Sequence, residues 1–188
     1  NHQSYIDPLI YYTVLHQFPH ATMYKESISK LQLASGMAKA LGGVSIDRSD
    51  DRSAMKSMIT IIKEVKSGVN FFIFPEGTRS RGIGMHHFKA GSFKIMHKTD
   101  ALLVMCAIDG SYRKRLSIPF VFTPVYIKIV EVMPSEICMR YTTQELASYL
   151  EKKVKKTIND IRHNHKTMKV NKRMLKKFQI QQQNEDVF

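Results

Sequence analysis

The sequence predicts an α/β fold, with a layered, mostly parallel sheet flanked by helices. Three observations carry that expectation. Residues 69–74 and 101–108 are short, continuous apolar runs of the length and composition of buried strands. Residues 53–66 and 143–161 carry apolar side chains at helical spacing. Strand-like and helix-like segments alternate along the chain, the pattern of strand–helix–strand units around a parallel sheet.

Taken in order, residues 8–16 read as a helix with Pro8 in its first turn and Asp7 as its cap. Residues 21–25 read as a short strand and 29–41 as a helix stopped by Gly42-Gly43. A short strand follows at 44–47. The helix over 53–66 places Met55, Met58, Ile59, Ile62 and Val65 on one stripe and ends at Gly68. The strand over 69–74 leads into a glycine-containing loop, 75–88. A short helix is expected over 90–97 and a buried strand over 101–108. Residues 125–132 alternate, with Val125, Ile127 and Ile129 on one side and Tyr126, Lys128 and Val130 on the other. Helix 143–161 lines up Leu146, Leu150, Val154, Ile158 and Ile161. The remainder, 163–188, is polar, includes Gln181-Gln182-Gln183 and reads as a basic tail outside the domain spanning 1–162.

At 188 residues one domain with a sizeable core is expected. No apolar stretch approaches the ~20 residues of a membrane-spanning helix. The chain opens on Asn1 rather than Met, so an upstream segment, a membrane anchor among the options, is expected to be missing. Cys106 and Cys138 are far apart in apolar surroundings and suggest buried, reduced thiols. The formal charge of +13 implies an anionic partner: nucleic acid, anionic membrane or a phosphorylated substrate. Eleven of the 29 lysines and arginines fall between Glu151 and Lys177, which concentrates the charge near the C-terminus. That stretch has no interleaved aromatics, so no nucleic-acid partner is expected.

Four segments can carry chemistry. In Asn1-His2-Gln3-Ser4-Tyr5-Ile6-Asp7, the turn that Pro8 implies brings His2 and Asp7 together. A carboxylate on one imidazole nitrogen fixes the tautomer and leaves the other nitrogen to take a proton from a hydroxyl. This is the base half of a triad without the serine, and suits a reaction whose nucleophile is the substrate's own hydroxyl; taken alone, the same residues also fit a surface histidine near a helix cap. In Phe74-Pro75-Glu76-Gly77-Thr78-Arg79-Ser80 a strand runs into a turn that offers Arg79 to a phosphate, with Glu76 orienting it or contacting a substrate hydroxyl. Gly43-Val44-Ser45-Ile46-Asp47-Arg48 sets Arg48 at a strand end. Phe88-Lys89-Ala90-Gly91 sets Lys89 at the start of a helix, where backbone donors and a cation would act together. Ser4, Ser80 and Cys106 have no second base beside them and are not expected to be nucleophiles. His86 and His87 read as loop histidines.

In order and spacing these segments resemble the glycerolipid acyltransferase family. Asn1-His2 with Asp7 matches its Asn-His-x-x-x-x-Asp motif. Ile46-Asp47-Arg48 resembles the second, with Ser45 where an aromatic is usual. Phe74 to Ser80 matches the third throughout, and Phe88-Lys89-Ala90-Gly91 matches the element after it. Met105 stands where the fourth motif has a proline, a departure that bears on acyl-donor or acceptor preference. The resemblance covers roughly residues 1–135.

The resemblance implies transfer of an acyl group from acyl-CoA or acyl-carrier protein to the free hydroxyl of 1-acyl-glycerol-3-phosphate, giving phosphatidate. The alternatives are glycerol-3-phosphate or another lysophospholipid as acceptor, or a catalytically silent lipid- and membrane-binding relative. It implies His2 as base, Asp7 as its partner, and Glu76, Gly77, Thr78, Arg79, Arg48 and Lys89 around the substrate phosphate. Backbone amides near Gly77 are candidates for the oxyanion. No metal or other cofactor is implied. The expected location is the cytoplasmic face of a membrane, peripheral or anchored by the missing segment, with the basic C-terminal stretch, Met174, Leu175 and Phe178 on anionic lipid. In the family a strand leads into the first motif, so His2 is expected to be present but poorly positioned.

Overall fold

The computed structural model describes residues 1–18, 20–25, 36, 42–46, 51–113 and 123–165. The helix predicted at 29–41, residues Asp47 and Arg48, and the tail beyond His165 lie outside or largely outside the described residues.

Helix α1 spans Asp7–Val14, with Asp7 as its first residue and Pro8 in the first turn. Strand β1 (His20–Lys25) follows, then β2 (Val44–Ile46), helix α2 (Asp51–Lys66) and β3 (Asn70–Phe72). These three strands form a parallel sheet in the order β2-β1-β3, with His20 opposite Asn70 and Met23 opposite Val44. The parallel expectation holds here. Helix α2 ends as predicted at Gly68, which has φ +95°. The amide of Val69 donates to the Glu64 carbonyl and that of Gly68 to Val65, closing the last turn. The buried stripe of α2 is rotated from the predicted one. Ile61 is fully buried, whereas Met55 and Ile59 face water.

Strand β4 (Leu103–Asp109) pairs with β5 (Tyr126–Met133), and this pair is antiparallel, which the alternation of residues 125–132 had not distinguished. The register shifts between Met105 and Cys106, so β5 carries an extra residue there. Met105 itself is buried in the core. The helix expected at 90–97 is a single 3-10 turn, Ala90–Phe93, followed by turns. A one-turn helix, α3 (Ser135–Cys138), precedes α4 (Thr143–Asn164). At the start of α4, Thr142 and Glu145 form a reciprocal capping box: each side chain accepts from the other's amide.

The main core lies where α4 covers the β4–β5 pair. Leu146, Leu150, Val154, Ile158 and Ile161, the predicted stripe, pack with Phe88, Phe93, Met96, Met105, Ala107 and Met133. Burying each large side chain contributes ~1.5–3 kcal/mol, so this stripe accounts for much of the docking of α4. Cys138 is fully buried and Cys106 half-buried, and both are free thiols pushed up in pKa by burial. A thiol held protonated is a poor nucleophile, in keeping with the expectation for Cys106. Among the described residues no helix is long and apolar enough to cross a membrane.

Candidate active site

The turn at the start of α1 folds Asp7 back onto the residues before it. Asp7 Oδ2 accepts from His2 Nδ1 at 2.8 Å, from the Gln3 amide at 2.7 Å and from the Ser4 amide at 2.9 Å. Asp7 is therefore not the forward helix cap that the sequence suggested, and no side chain caps α1. Its carboxylate, wholly buried, organises the loop behind it. His2 presents Nδ1 to Asp7, which leaves Nε2 as the nitrogen able to take a proton. The ring stacks on Phe74, 3.8 Å between centroids and 18° between planes, and Phe74 packs edge-on against Phe72.

The expectation that His2 would be poorly positioned is overturned. His2 is held by its peptide as well as its ring. Its amide donates to Glu76 Oε1 at 2.5 Å, and its carbonyl accepts from the Ser80 amide at 2.9 Å. The residues flanking it are also fixed. The Asn1 carboxamide exchanges two hydrogen bonds with the Ile108 main chain, at 2.9 and 2.8 Å. Gln3 Nε2 donates to Asp109 Oδ1 at 3.1 Å, and Gln3 Oε1 accepts from the Gly110 amide at 3.1 Å. Side chains on both sides of His2 thus fix its place against the end of β4.

Glu76 also differs from its predicted use. It is buried, and its second oxygen accepts from the His86 amide at 2.7 Å. Both oxygens are engaged by main chain, so Glu76 ties the His2 loop to the loop at His86 and is not free to reach a phosphate. Burial pushes its pKa up, while the two amide donors, from His2 and His86, pull it down. Gly77 adopts φ +71°, as a tight turn requires, and its amide donates to Phe74. That amide is therefore occupied, and the next candidates for an oxyanion are those of Thr78 and Arg79. Arg79 is half-buried and close enough for its charge to oppose protonation of His2. Thr78 is exposed. Lys89 is exposed and donates its amide to the Pro75 carbonyl at 2.8 Å, which brings it to the same loop. The 3-10 turn after it is too short to offer the helix N-terminus that the sequence suggested. Arg48 lies outside the described residues.

Burial is the largest influence on His2 and lowers its pKa, with the Asp7 hydrogen bond acting in the opposite sense. The ring is accordingly neutral near neutral pH, the form a general base requires. Ser80 is buried with its hydroxyl turned to the Gly82 carbonyl, and Ser4 is buried behind Asp7. Among the described residues no group of three or more His, Cys, Asp and Glu is placed to hold a metal ion.

Sequence reasoning missed Asp109, Arg162 and Glu151. Arg162 donates from Nε and Nη2 to Asp109 Oδ1, at 3.0 and 2.6 Å, and from Nη2 to the Ile83 carbonyl at 2.7 Å. Glu151 accepts from the Phe88 amide at 2.9 Å and from Lys155 at 2.6 Å. The available signal was a single arginine directly beside the apolar stripe of α4, next to Ile161. In the sequence it falls within the basic stretch of residues 151–177. Arg162 is in fact buried, Lys153 is paired with Glu131 and Lys155 with Glu151.

A fold of this kind carrying a buried His–Asp pair beside an arginine-bearing turn defines a class of acyl-transfer proteins, and the comparisons agree. The chain belongs to the Acyltransferase family, whose sequence profile matches residues 1–109. It is 35% identical over 100 residues to a 1-acyl-sn-glycerol-3-phosphate acyltransferase of Borreliella burgdorferi, covering 53% of this chain and 39% of that protein. It is 25% identical over 182 residues to the protein of that name from Salmonella typhimurium, covering 90% and 71%. Among solved structures it resembles the 1-acyl-sn-glycerophosphate (LPA) acyltransferase PlsC of Thermotoga maritima. The TM-score is 0.67 at 28% identity, over 86% of this chain and 64% of that one. The chain thus spans well under half the length of the Borreliella relative.

Proposed function

We propose that this protein transfers an acyl group from a thioester to the free hydroxyl of 1-acyl-glycerol-3-phosphate, giving phosphatidate. The observation that carries the reading is the buried His2 Nδ1–Asp7 bond, which leaves Nε2 as the nitrogen able to take a proton, with the Arg79 charge near enough to act on the ring. In this mechanism His2 Nε2 takes the hydroxyl proton as the substrate oxygen attacks the thioester carbonyl carbon. Amides at Thr78 and Arg79 stabilise the resulting oxyanion. The carbon–sulfur bond then breaks, and the imidazolium returns its proton to the thiolate, releasing a free thiol. Arg79, assisted by Lys89 and Arg48, holds the phosphate and so orients the reacting hydroxyl. Gly77 shapes the turn and Glu76 holds it against His2.

The donor is acyl-CoA or acyl-carrier protein, since either presents the same thioester to the site. No metal or redox cofactor enters this chemistry. The acceptor is an amphiphile, so the reaction belongs at a membrane, on its cytoplasmic face. The basic residues after Arg162 would meet anionic lipid there, each contributing ~1 kcal/mol. A broader acceptor range is the second reading. It is favoured by 33% identity over 100 residues to the lysophospholipid acyltransferase LPEAT1 of Arabidopsis thaliana.

The test is thiol release from acyl-CoA in the presence of lysophosphatidate, glycerol-3-phosphate or other lysophospholipids. Wild type is expected to turn over lysophosphatidate, and His2→Ala to lose ~10²–10⁴-fold in kcat. Equal activity in the two proteins would remove His2 as the base. A wild type inactive on every acceptor would favour a silent lipid-binding role.

A further inference from the structure

The buried ion pair between Arg162 and Asp109 lies outside the reacting groups, yet it connects to them through one side chain. Asp109 Oδ1 accepts from Arg162 Nε and Nη2 and, at 3.1 Å, from Gln3 Nε2. The other end of the Gln3 carboxamide accepts from the Gly110 amide at 3.1 Å and lies 3.4 Å from Ser111 Oγ. Gln3 is 1% exposed and every polar atom of its carboxamide is engaged, so its side chain has one conformation available. With the side chain fixed, the main-chain N–H of the same residue is aimed at Asp7 Oδ2, 2.7 Å away. Asp7 Oδ2 is the oxygen that holds His2 Nδ1. A continuous series of short contacts therefore runs from the last turn of α4 to the base.

Arg162 also grips the other wall of the site. Its Nη2 reaches the Ile83 carbonyl, in the loop whose His86 amide is held by Glu76. One guanidinium thus spans the end of β4 and the loop after the Arg79 turn. Replacing both partners of a buried ion pair with well-packed apolar residues is often neutral for stability, so stability alone is weak grounds for such a pair. Its connection to Gln3 offers a functional reason for it.

We propose that Arg162 is a positioning residue, acting through Asp109 and Gln3 to hold Asp7, and hence His2, in the geometry needed for proton transfer. It touches neither substrate nor reacting atoms. A misplaced Asp7 would allow the His2 ring to rotate and its tautomer to change, which slows the chemical step while leaving substrate binding intact. The inference rests on the proposed role of His2 as base.

The test uses the full chain with Gln3→Met, Arg162→Lys and, as a control that loosens α4 without touching this series, Val154→Ala. Gln3→Met keeps the side-chain size and leaves the Arg162–Asp109 pair in place, so it decides the question if Arg162→Lys does not fold. Two readouts are taken at temperatures where each variant is folded. One is kcat and KM for acyl-CoA with lysophosphatidate. The other is the downfield NMR resonance of the His2 Nδ1 proton, recorded without substrate. Gln3→Met and Arg162→Lys are expected to lose ~10–100-fold in kcat with KM within about two-fold, and to shift or lose the resonance. Val154→Ala is expected to keep both. Folded Gln3→Met with wild-type kcat and an unmoved resonance would overturn the proposal. So would an equal loss in Val154→Ala. A wild type without turnover, whose resonance nonetheless moves in Gln3→Met, would refute the proposed reaction and leave the positioning role standing.

Discussion

Burial lowers the pKa of His2 against the pull of Asp7, and the direction has two consequences. The base must be neutral to act, so the acidic limb of kcat/KM is expected to fall with an apparent pKa below the ordinary histidine value of about 6.5. A rate profile with its acidic limb above that value would contradict the assignment. The second consequence is for stability. In the unfolded chain His2 binds a proton at higher pH than in the folded one, so its contribution is full above about pH 6.5 and is lost as the pH falls. The identity of this pair was legible in the sequence only through the motifs that follow it in order, Glu76 to Arg79 above all, because a histidine and an aspartate five residues apart are common on their own. The support around it was not. Glu76 reads in the sequence as a ligand-facing carboxylate. Only the fold shows that two main-chain amides, from residues 2 and 86, converge on its oxygens.

Among the elements, α4 and α2 show what periodicity can and cannot resolve. A 22-residue helix with one clean stripe was readable almost to its ends, and all five predicted core residues of α4 are buried. In α2 apolar residues occupy more than half a turn, so periodicity alone does not separate the buried edge at Ile61 from the exposed one at Met55 and Ile59. Strand direction was beyond reach for β5, because alternation is the same for parallel and antiparallel neighbours. Gly110 has φ +104°, its amide holds Gln3, and a Cβ there would collide with the Pro124 carbonyl oxygen. Gly110→Ala is expected to cost more than the ~1 kcal/mol typical of a point substitution and to reduce kcat. Denaturant midpoints together with turnover check it. Unchanged values for both would mean that the strand end adjusts freely.

For the molecule as a whole, the parallel sheet and the β4–β5 layer meet at the loop that carries His2, and the larger core lies on the α4 side of that meeting. Truncating this core should affect persistence of the fold more than chemistry. Leu150→Ala is expected to lower stability by ~2–5 kcal/mol while activity per folded molecule stays close to wild type. Calorimetry and initial rates at low temperature separate the two quantities. Met105 illustrates how a departure from the family pattern can be absorbed at this scale. It pairs with Glu131 beside the register shift in the β4–β5 pair, and its side chain is taken up by the core under α4.

The clamp on the His2 peptide reaches beyond catalysis. Glu76 and Ser80 grip residue 2 directly, across a separation of 74 residues in the case of Glu76. The two halves of the reactive centre therefore take their spacing from each other, not from the length of chain between them. Insertions or deletions in the intervening connections, apart from the one that carries Arg48, should pass with little effect on the centre, provided α1 and β3 still deliver their ends. Over evolutionary time such a chain is free to change length in its middle while its chemistry stays fixed. A designer could likewise graft a foreign segment into a connection there before altering a single atom that the reaction uses.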